Sequence, residues 1–248
     1  MTDSVAGVVL AAGAGTRLRP LSLLRPKALC PVGNVPLVDL AIDRVRTVAA
    51  DVAVNVHHGR DAMVEHLAGR VHVSLEEREA LGTAGALGLL RDWLAGRPAV
   101  VVNADAWCPD SLAPLLDGWD GERVRLLLAG DDVLTPTSAV AAAVLPWAAI
   151  APLAPTPAGL YELVWREAQA AGELEVVRHD GLFVDCGTPR QYLEANLTSS
   201  GGANVVAADA VVDGDLDRCV VWPGARVHAR ESLRCAIRPA ADITILVR

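Results

Sequence analysis

Val5-Ala6-Gly7-Val8-Val9-Leu10-Ala11-Ala12-Gly13-Ala14-Gly15-Thr16-Arg17-Leu18-Arg19-Pro20 is an apolar run that stops at two glycines. The run from Val5 to Ala12 reads as a buried strand, aliphatic on both faces, as strands of a covered parallel sheet are. Glycines directly after a strand let the backbone turn sharply and bring N–H groups against an anion with no side chain in the way. In an open α/β sheet the loop at a strand's carboxyl end is where ligands bind. Leu10, Ala11, Ala12, Gly13, Gly15 and Thr16 therefore form a candidate phosphate cradle. It lacks the third glycine of a dinucleotide fingerprint, and it is not G-x-x-x-x-G-K-[ST].

Working outward, the first hundred residues alternate strand and helix. Helices are predicted at Pro36–Ala49, Arg60–Leu67 and Thr83–Leu94, and strands at Asp51–Val56, Val71–Leu75 and Ala99–Val102. That alternation predicts a doubly wound, mostly parallel, Rossmann-like α/β sheet. Further on, Val124–Leu128 and Ala139–Leu145 read as strands. Leu160–Ala171 reads as a helix ended by Gly172, and Pro189–Leu197 as another. Glu173–Arg178 and Leu182–Val184 read as a strand pair.

Ser199-Ser200-Gly201-Gly202 reads as a linker, which divides the chain into a main α/β domain, 1–198, and a C-terminal segment, 199–248. In that segment Val221, Val227 and Leu233 recur every six residues, as do Val206 with Val212 and Ile237 with Ile243. Six is the period of a left-handed, hexapeptide-type β-helix, and a plain β-rich tail is the alternative. Two or three coils need a surface to lie on, either the main domain or another subunit, so a homo-oligomer through this segment is one expectation.

The chain has 248 residues, 52% of them hydrophobic and 4% aromatic, with a formal charge of −8. No basic run exists, which argues against a nucleic-acid or anionic-membrane partner. The longest apolar stretch, Ala139–Ala151, is short and broken by Pro146, so no membrane span is expected. Asp3 followed at once by a strand argues against a leader peptide. Five cysteines with no C-x-x-C pair read as reduced thiols of a cytoplasmic protein rather than a disulfide scaffold or a zinc site. Of the 22 basic residues, Lys27 is the one lysine. A chain that uses arginine wherever a generic positive charge suffices keeps an ammonium where a compact charge is needed.

Leu10-Ala11-Ala12-Gly13-Ala14-Gly15-Thr16-Arg17-Leu18-Arg19-Pro20 with Pro26-Lys27 resembles the signature of the sugar-1-phosphate nucleotidyltransferases, the family of mannose-1-phosphate guanylyltransferases and related NDP-sugar pyrophosphorylases. Three more segments follow in the family's order, and the resemblance spans about residues 5 to 198. Glu77 to Leu87 looks like the part that holds base and ribose, with Glu77, Gly82, Thr83 and Gly85 as its contacts. Val101-Val102-Asn103-Ala104-Asp105 and Phe183-Val184-Asp185-Cys186-Gly187 look like the two metal-binding strand ends.

The resemblance implies the fold of the nucleotide-diphospho-sugar transferases. It also implies Mg²⁺ on Asp105 and Asp185, and transfer of a nucleotidyl group from a nucleoside triphosphate to a sugar 1-phosphate. Arg17 would grip the departing pyrophosphate, and Lys27 would follow the α-phosphate. Glu77, acceptor-only, could take two hydrogens from a guanine edge, which leans the base choice to GTP with UTP next.

The acceptor half departs from the family pattern, because no second lysine exists and residues 134–159 carry no charge. Arg178 or His179 are the candidates to replace it. Two other readings stay open: a nucleotide-sugar-binding regulatory subunit without turnover, and a cytidylyltransferase acting on a phosphate such as phosphocholine.

Overall fold

The computed structural model describes residues 5–247. They form two compact units that interleave along the chain instead of dividing near residue 198. The first comprises 5–13, Leu40–Ala104 and Cys108–Phe183. The second comprises Ala14–Asp39, Asp105–Trp107 and 184–247.

The first unit is built on seven strands: β1 Ala6–Leu10, β2 Val52–Val56, β3 His72–Leu75, β4 Ala99–Asn103, β5 Val124–Ala129, β6 Val140–Leu145 and β7 Leu174–His179. Their order in the sheet is β7-β5-β6-β4-β1-β2-β3. The pairs β1 with β2, β1 with β4, β2 with β3 and β5 with β7 are parallel, and β6 runs against both β4 and β5. Six of the seven strands thus release the chain at the same edge. The order reverses at β1, whose partners β2 and β4 leave in opposite directions, and that crevice is where open α/β sheets bind ligands.

Central strands are buried along their length because both faces are covered. Gly7 shows how closely: a Cβ there would lie 2.2 Å from Cγ1 of Val45, on the helix Leu37–Arg46.

Several expected elements change shape. The helix predicted from Pro36 is shorter, because Val35–Pro36 pairs with Pro31–Val32 before Leu37 begins the first turn. Thr83–Leu94 is two helices, Gly82–Leu89 and Arg91–Leu94, broken at Leu90. Leu160–Ala171 opens with a wider π-type turn, Tyr161–Trp165, and ends where Gly172 takes φ 74°. The strand pair expected of Glu173–Arg178 with Leu182–Val184 does not form. β7 instead joins the main sheet beside β5, and Val184–Asp185 pairs antiparallel with Ala106–Trp107. Two-residue strands carry no periodic signal, so their partner is set by tertiary contact alone. Asp3 lies outside the described residues.

In the second unit, Thr188 caps the helix Pro189–Ser199, its hydroxyl accepting from the Gln191 amide at 3.3 Å. Tyr192 on that helix is fully buried; it donates to the Pro31 carbonyl and accepts from Trp222 Nε1 at 2.9 Å. After Gly202 the chain makes three stacks of parallel pairs. Val205–Val206 lies beside Val220–Val221, Val211–Val212 beside Arg226–Val227, and Asp215–Asp217 beside Ser232–Arg234. Val221, Ala225 and Val227 are their buried centre. The six-residue steps to Val212 and Ile243 lead to exposed side chains, so those two do not belong to that centre. No helix among the described residues is long and apolar enough to cross a membrane.

Candidate functional site

The predicted residues fall into two groups, one in each unit. In the first unit they gather at the carboxyl ends of β1, β2 and β3. A buried polar chain links these ends. Asn55 Oδ1 accepts from the Ala11 amide at 2.7 Å, and Asn55 Nδ2 donates to Glu76 Oε1 at 2.7 Å. Glu76 Oε2 accepts from the Leu81 amide at 2.8 Å. With Glu76 only 1% exposed, this carboxylate is fully committed to holding the 76–81 turn. His58 Nδ1 donates to the Ala12 carbonyl at 2.9 Å and His57 Nδ1 to the Glu76 carbonyl at 2.7 Å. A carbonyl only accepts, so both rings carry their proton on Nδ1.

Neither Asn55 nor Glu76 was singled out from sequence, although one amide inside the apolar run Val52–Val56 was a signal that a partner must exist. Glu77, one residue on, is exposed, and the Arg60 guanidinium donates to its backbone carbonyl at 3.0 Å. Ala11 and Ala12 are buried, whereas Gly13 is exposed with no atom within 4 Å of where a Cβ would stand.

Gly82, Gly85 and Gly88 lie against backbone of the same unit. A Cβ on Gly82 would meet the Ala158 carbonyl oxygen at 2.5 Å, on Gly85 the Thr156 oxygen at 2.2 Å, and on Gly88 the Ala154 oxygen at 2.4 Å. These glycines thus let the Gly82–Leu89 helix lie directly against the backbone of residues 154–158. Thr83 Oγ1 accepts from the Leu160 amide at 2.8 Å and completes this seam.

In the second unit the antiparallel pairing of Ala106–Trp107 with Val184–Asp185 brings Asp105 beside Asp185, and the Cys186 amide donates to the Asp105 carbonyl at 3.0 Å. Lys27 Nζ stands 2.9 Å from Asp105 Oδ2 and 3.7 Å from Asp185 Oδ1, its side chain 8% exposed. Arg17 Nη2 stands 3.6 Å from Asp185 Oδ2 and is largely exposed. Gly15 takes φ 60°, and a Cβ there would press on Lys27 Cβ at 2.9 Å, so this glycine is what lets the loop close over the lysine. Thr16 starts the short turn that carries Arg17. Burial pushes the Cys186 thiol up to about 12, with Lys27 pulling the other way.

The donors that close on Lys27 are carboxylate oxygens around a cation. That is the ligand chemistry of Mg²⁺ rather than of a thiophilic ion. Asp105 precedes the short strand Ala106–Trp107 and caps no helix; the next helix starts at Ala113.

The proposed substitutes for the missing acceptor lysine are both engaged. Arg178 Nε donates to Asp180 at 2.6 Å and Nη1 to Asp132 at 3.1 Å. His179 is buried beside Cys108 and Asp110.

The nucleotidyl transferase family model matches residues 6–127. An N-acetylmuramate alpha-1-phosphate uridylyltransferase of Caulobacter vibrioides is 32% identical over 229 residues, which cover 76% of this chain and 94% of that protein. A mannose-1-phosphate guanyltransferase of Schizosaccharomyces pombe is 38% identical over 120 residues, covering 44% of this chain but only 32% of that longer protein. Among solved structures, a mannose-1-phosphate geranyltransferase from Thermus thermophilus superposes with a TM-score of 0.72 at 18% identity, over 99% of this chain and 95% of that one. At that identity the likeness speaks for the fold.

Proposed function

Because the chain belongs to the sugar-1-phosphate nucleotidyltransferase family, we propose that it transfers UMP from UTP to a sugar 1-phosphate and releases pyrophosphate. The observation that carries the reading is the closure of two aspartates, Asp105 and Asp185, on the one lysine of the chain. In the reaction a sugar-phosphate oxygen attacks the α-phosphorus in line. Two anions that repel each other must be held together, and the charge that develops must be met.

Lys27 supplies a compact ammonium for the α-phosphate, held in place by its buried stem. Arg17, exposed and with a forked guanidinium, takes the β- and γ-phosphates and holds the pyrophosphate as it departs. Asp105 and Asp185 would hold Mg²⁺, which when bound would supply positive charge to offset that of the phosphates. Gly13, with open space above it, lets backbone N–H groups approach an anion. In the first unit the turn 76–81, fixed by Glu76 and Asn55, presents Glu77 and the start of the Gly82–Leu89 helix to the base.

UTP is favoured over GTP because the relative matched along most of its length is a uridylyltransferase, whereas the guanyltransferase match covers 44% of this chain. We read the C-terminal parallel stacks as a short left-handed β-helix of the hexapeptide type.

The test is pyrophosphate release with Mg²⁺ across the four nucleoside triphosphates, each with N-acetylmuramate, mannose and glucose 1-phosphates and with phosphocholine. UTP with a sugar 1-phosphate is the expected pair. Turnover with GTP alone overturns the base assignment, and phosphocholine as the one acceptor overturns the sugar. Nucleotide binding without release from any pair supports the regulatory-subunit reading. Asp105→Asn is expected to abolish release while leaving far-UV dichroism unchanged.

A further inference from the structure

A second cluster of side chains lies entirely within the first unit and takes no part in the chemistry above. Cys108, Asp110 and His179 present their ligand atoms within 4.8 Å of one another. His179 Nε2 is 3.5 Å from Cys108 Sγ, 3.4 Å from Asp110 Oδ2 and 3.5 Å from the Leu182 carbonyl oxygen. A good N–H···O bond is about 2.7–3.2 Å, so the nitrogen makes no close bond to either oxygen. Nor is this a nucleophile–base–carboxylate relay, which uses the two ring nitrogens in turn; here the thiol and the carboxylate face the same nitrogen.

The spacing has another meaning. Around a tetrahedral zinc-class ion, with metal–ligand lengths of about 2.0–2.3 Å, neighbouring ligand atoms are about 3.3–3.6 Å apart. The two measured edges are of that length. We propose that Cys108, Asp110 and His179 form a binding site for a zinc-class dication, with a fourth position left to the Leu182 carbonyl or water.

The surroundings suit a held ion. Cys108 and His179 are buried, and Asp110 is half-exposed, which leaves a way in. The position of Asp110 is fixed from several sides. Its carboxylate accepts from the Leu182 amide at 2.8 Å, and Arg44 Nε donates to its backbone carbonyl at 2.9 Å. Gly181 is what lets the carboxylate lie over the imidazole, since a Cβ there would stand 2.0 Å from Asp110 Oδ2 and 2.8 Å from His179 Cε1.

The ligand set mixes one soft and two borderline or hard donors, which fits zinc and excludes Mg²⁺. The absence of a C-x-x-C pair says nothing against it, because these ligands come from two segments 71 residues apart. An ion there fastens the loop after β4 to the end of β7. Along the chain those anchors lie three residues after Asp105 and six before Asp185.

The experiment uses the full chain, stripped with chelator and titrated with Co²⁺. One equivalent is expected to give tetrahedral d–d bands and a thiolate-to-cobalt charge-transfer band, both displaced by Zn²⁺. Cys108→Ser removes the charge-transfer band, whereas Cys30→Ser and Cys235→Ser keep it. Asp105→Asn also keeps it, which separates this site from the catalytic carboxylates. Asp110→Asn, at a half-exposed position where folding is safe, weakens Zn²⁺ at least tenfold in competition with a chromophoric chelator. Failure of the charge-transfer band to appear, its survival in Cys108→Ser, or unchanged Zn²⁺ affinity in Asp110→Asn each overturns the proposal.

Discussion

Replacing Lys27 by methionine isolates the ammonium from everything else the lysine does. Its stem is buried and touches the Gly15 loop, and methionine keeps most of that packing volume. What is lost is a charge 2.9 Å from Asp105 and 3.7 Å from Asp185. Coulomb's law gives the nearer pair about 1.5 kcal/mol at the dielectric of water and about 6 kcal/mol at an effective constant near 20. Most of that is offset in the folded protein, because the ammonium gave up its water and both carboxylates, a third to a half exposed, rehydrate when it goes.

The expected loss of stability is therefore about 1–2 kcal/mol, read as a lower urea midpoint with unchanged slope. The loss in turnover is larger. A preorganised charge facing a developing phosphate charge contributes about 3–4 kcal/mol, so kcat falls by about 100- to 1000-fold. Lys27→Arg does not restore it, since a planar fork cannot take the place of a compact charge in a position this enclosed. A kcat for Lys27→Met within fivefold of the parent, measured by pyrophosphate release at saturating substrates, would refute the catalytic role and leave Lys27 as a structural counter-ion.

Four further outcomes are expected. Gly85→Ala drives a Cβ to 2.2 Å from the Thr156 oxygen and costs about 3 kcal/mol or more in urea unfolding. Gly13→Ala meets nothing within 4 Å and leaves stability within about 0.5 kcal/mol, yet it raises KM for the nucleotide; equal stability loss in the two variants would contradict this contrast. Asn55→Ala strands the buried Glu76 oxygen and the Ala11 amide, costing about 2–4 kcal/mol, while Asn55→Asp sets two carboxylates together and is no better. Burial pushes the Cys30 thiol from 9.0 to about 12, so the folded state holds a proton that the unfolded state has lost across that interval. Its contribution is full below pH 9 and declines as pH rises toward 12, and Cys30→Ala should flatten that part of an alkaline stability profile.

The parallel half of the sheet was legible because aliphatic runs buried on both faces alternate with helical stretches at a spacing few other folds allow. The reversed strand β6 was not, since Val140–Leu145 has the same aliphatic texture whichever way it runs. Asp105 and Asp185 could be named from a resemblance, but their meeting depends on two-residue strands whose pairing no pattern announces. The glycines tell a similar story. Sequence shows that Gly82 and Gly85 admit a close neighbour, and cannot say whose backbone it is. At positions 76 and 77, neighbouring glutamates differ completely in burial, because side chains at a strand end alternate faces. The Cys108, Asp110 and His179 cluster had no signal at all, being assembled from a loop and a distant strand end.

The seam between the Gly82–Leu89 helix and residues 154–158 also governs which substitutions the chain can accumulate. The helix side meets carbonyls directly, with no rotamer to turn aside, whereas the side chains of Ala154, Pro155, Thr156 and Pro157 face solvent. Mutational tolerance is therefore lopsided across a single contact. On one side almost any replacement of glycine is disruptive, and on the other the backbone path is held while side-chain identity is free to drift. Residues 154–157 are thus a place where descendants of this chain can change their surface chemistry without renegotiating the fold.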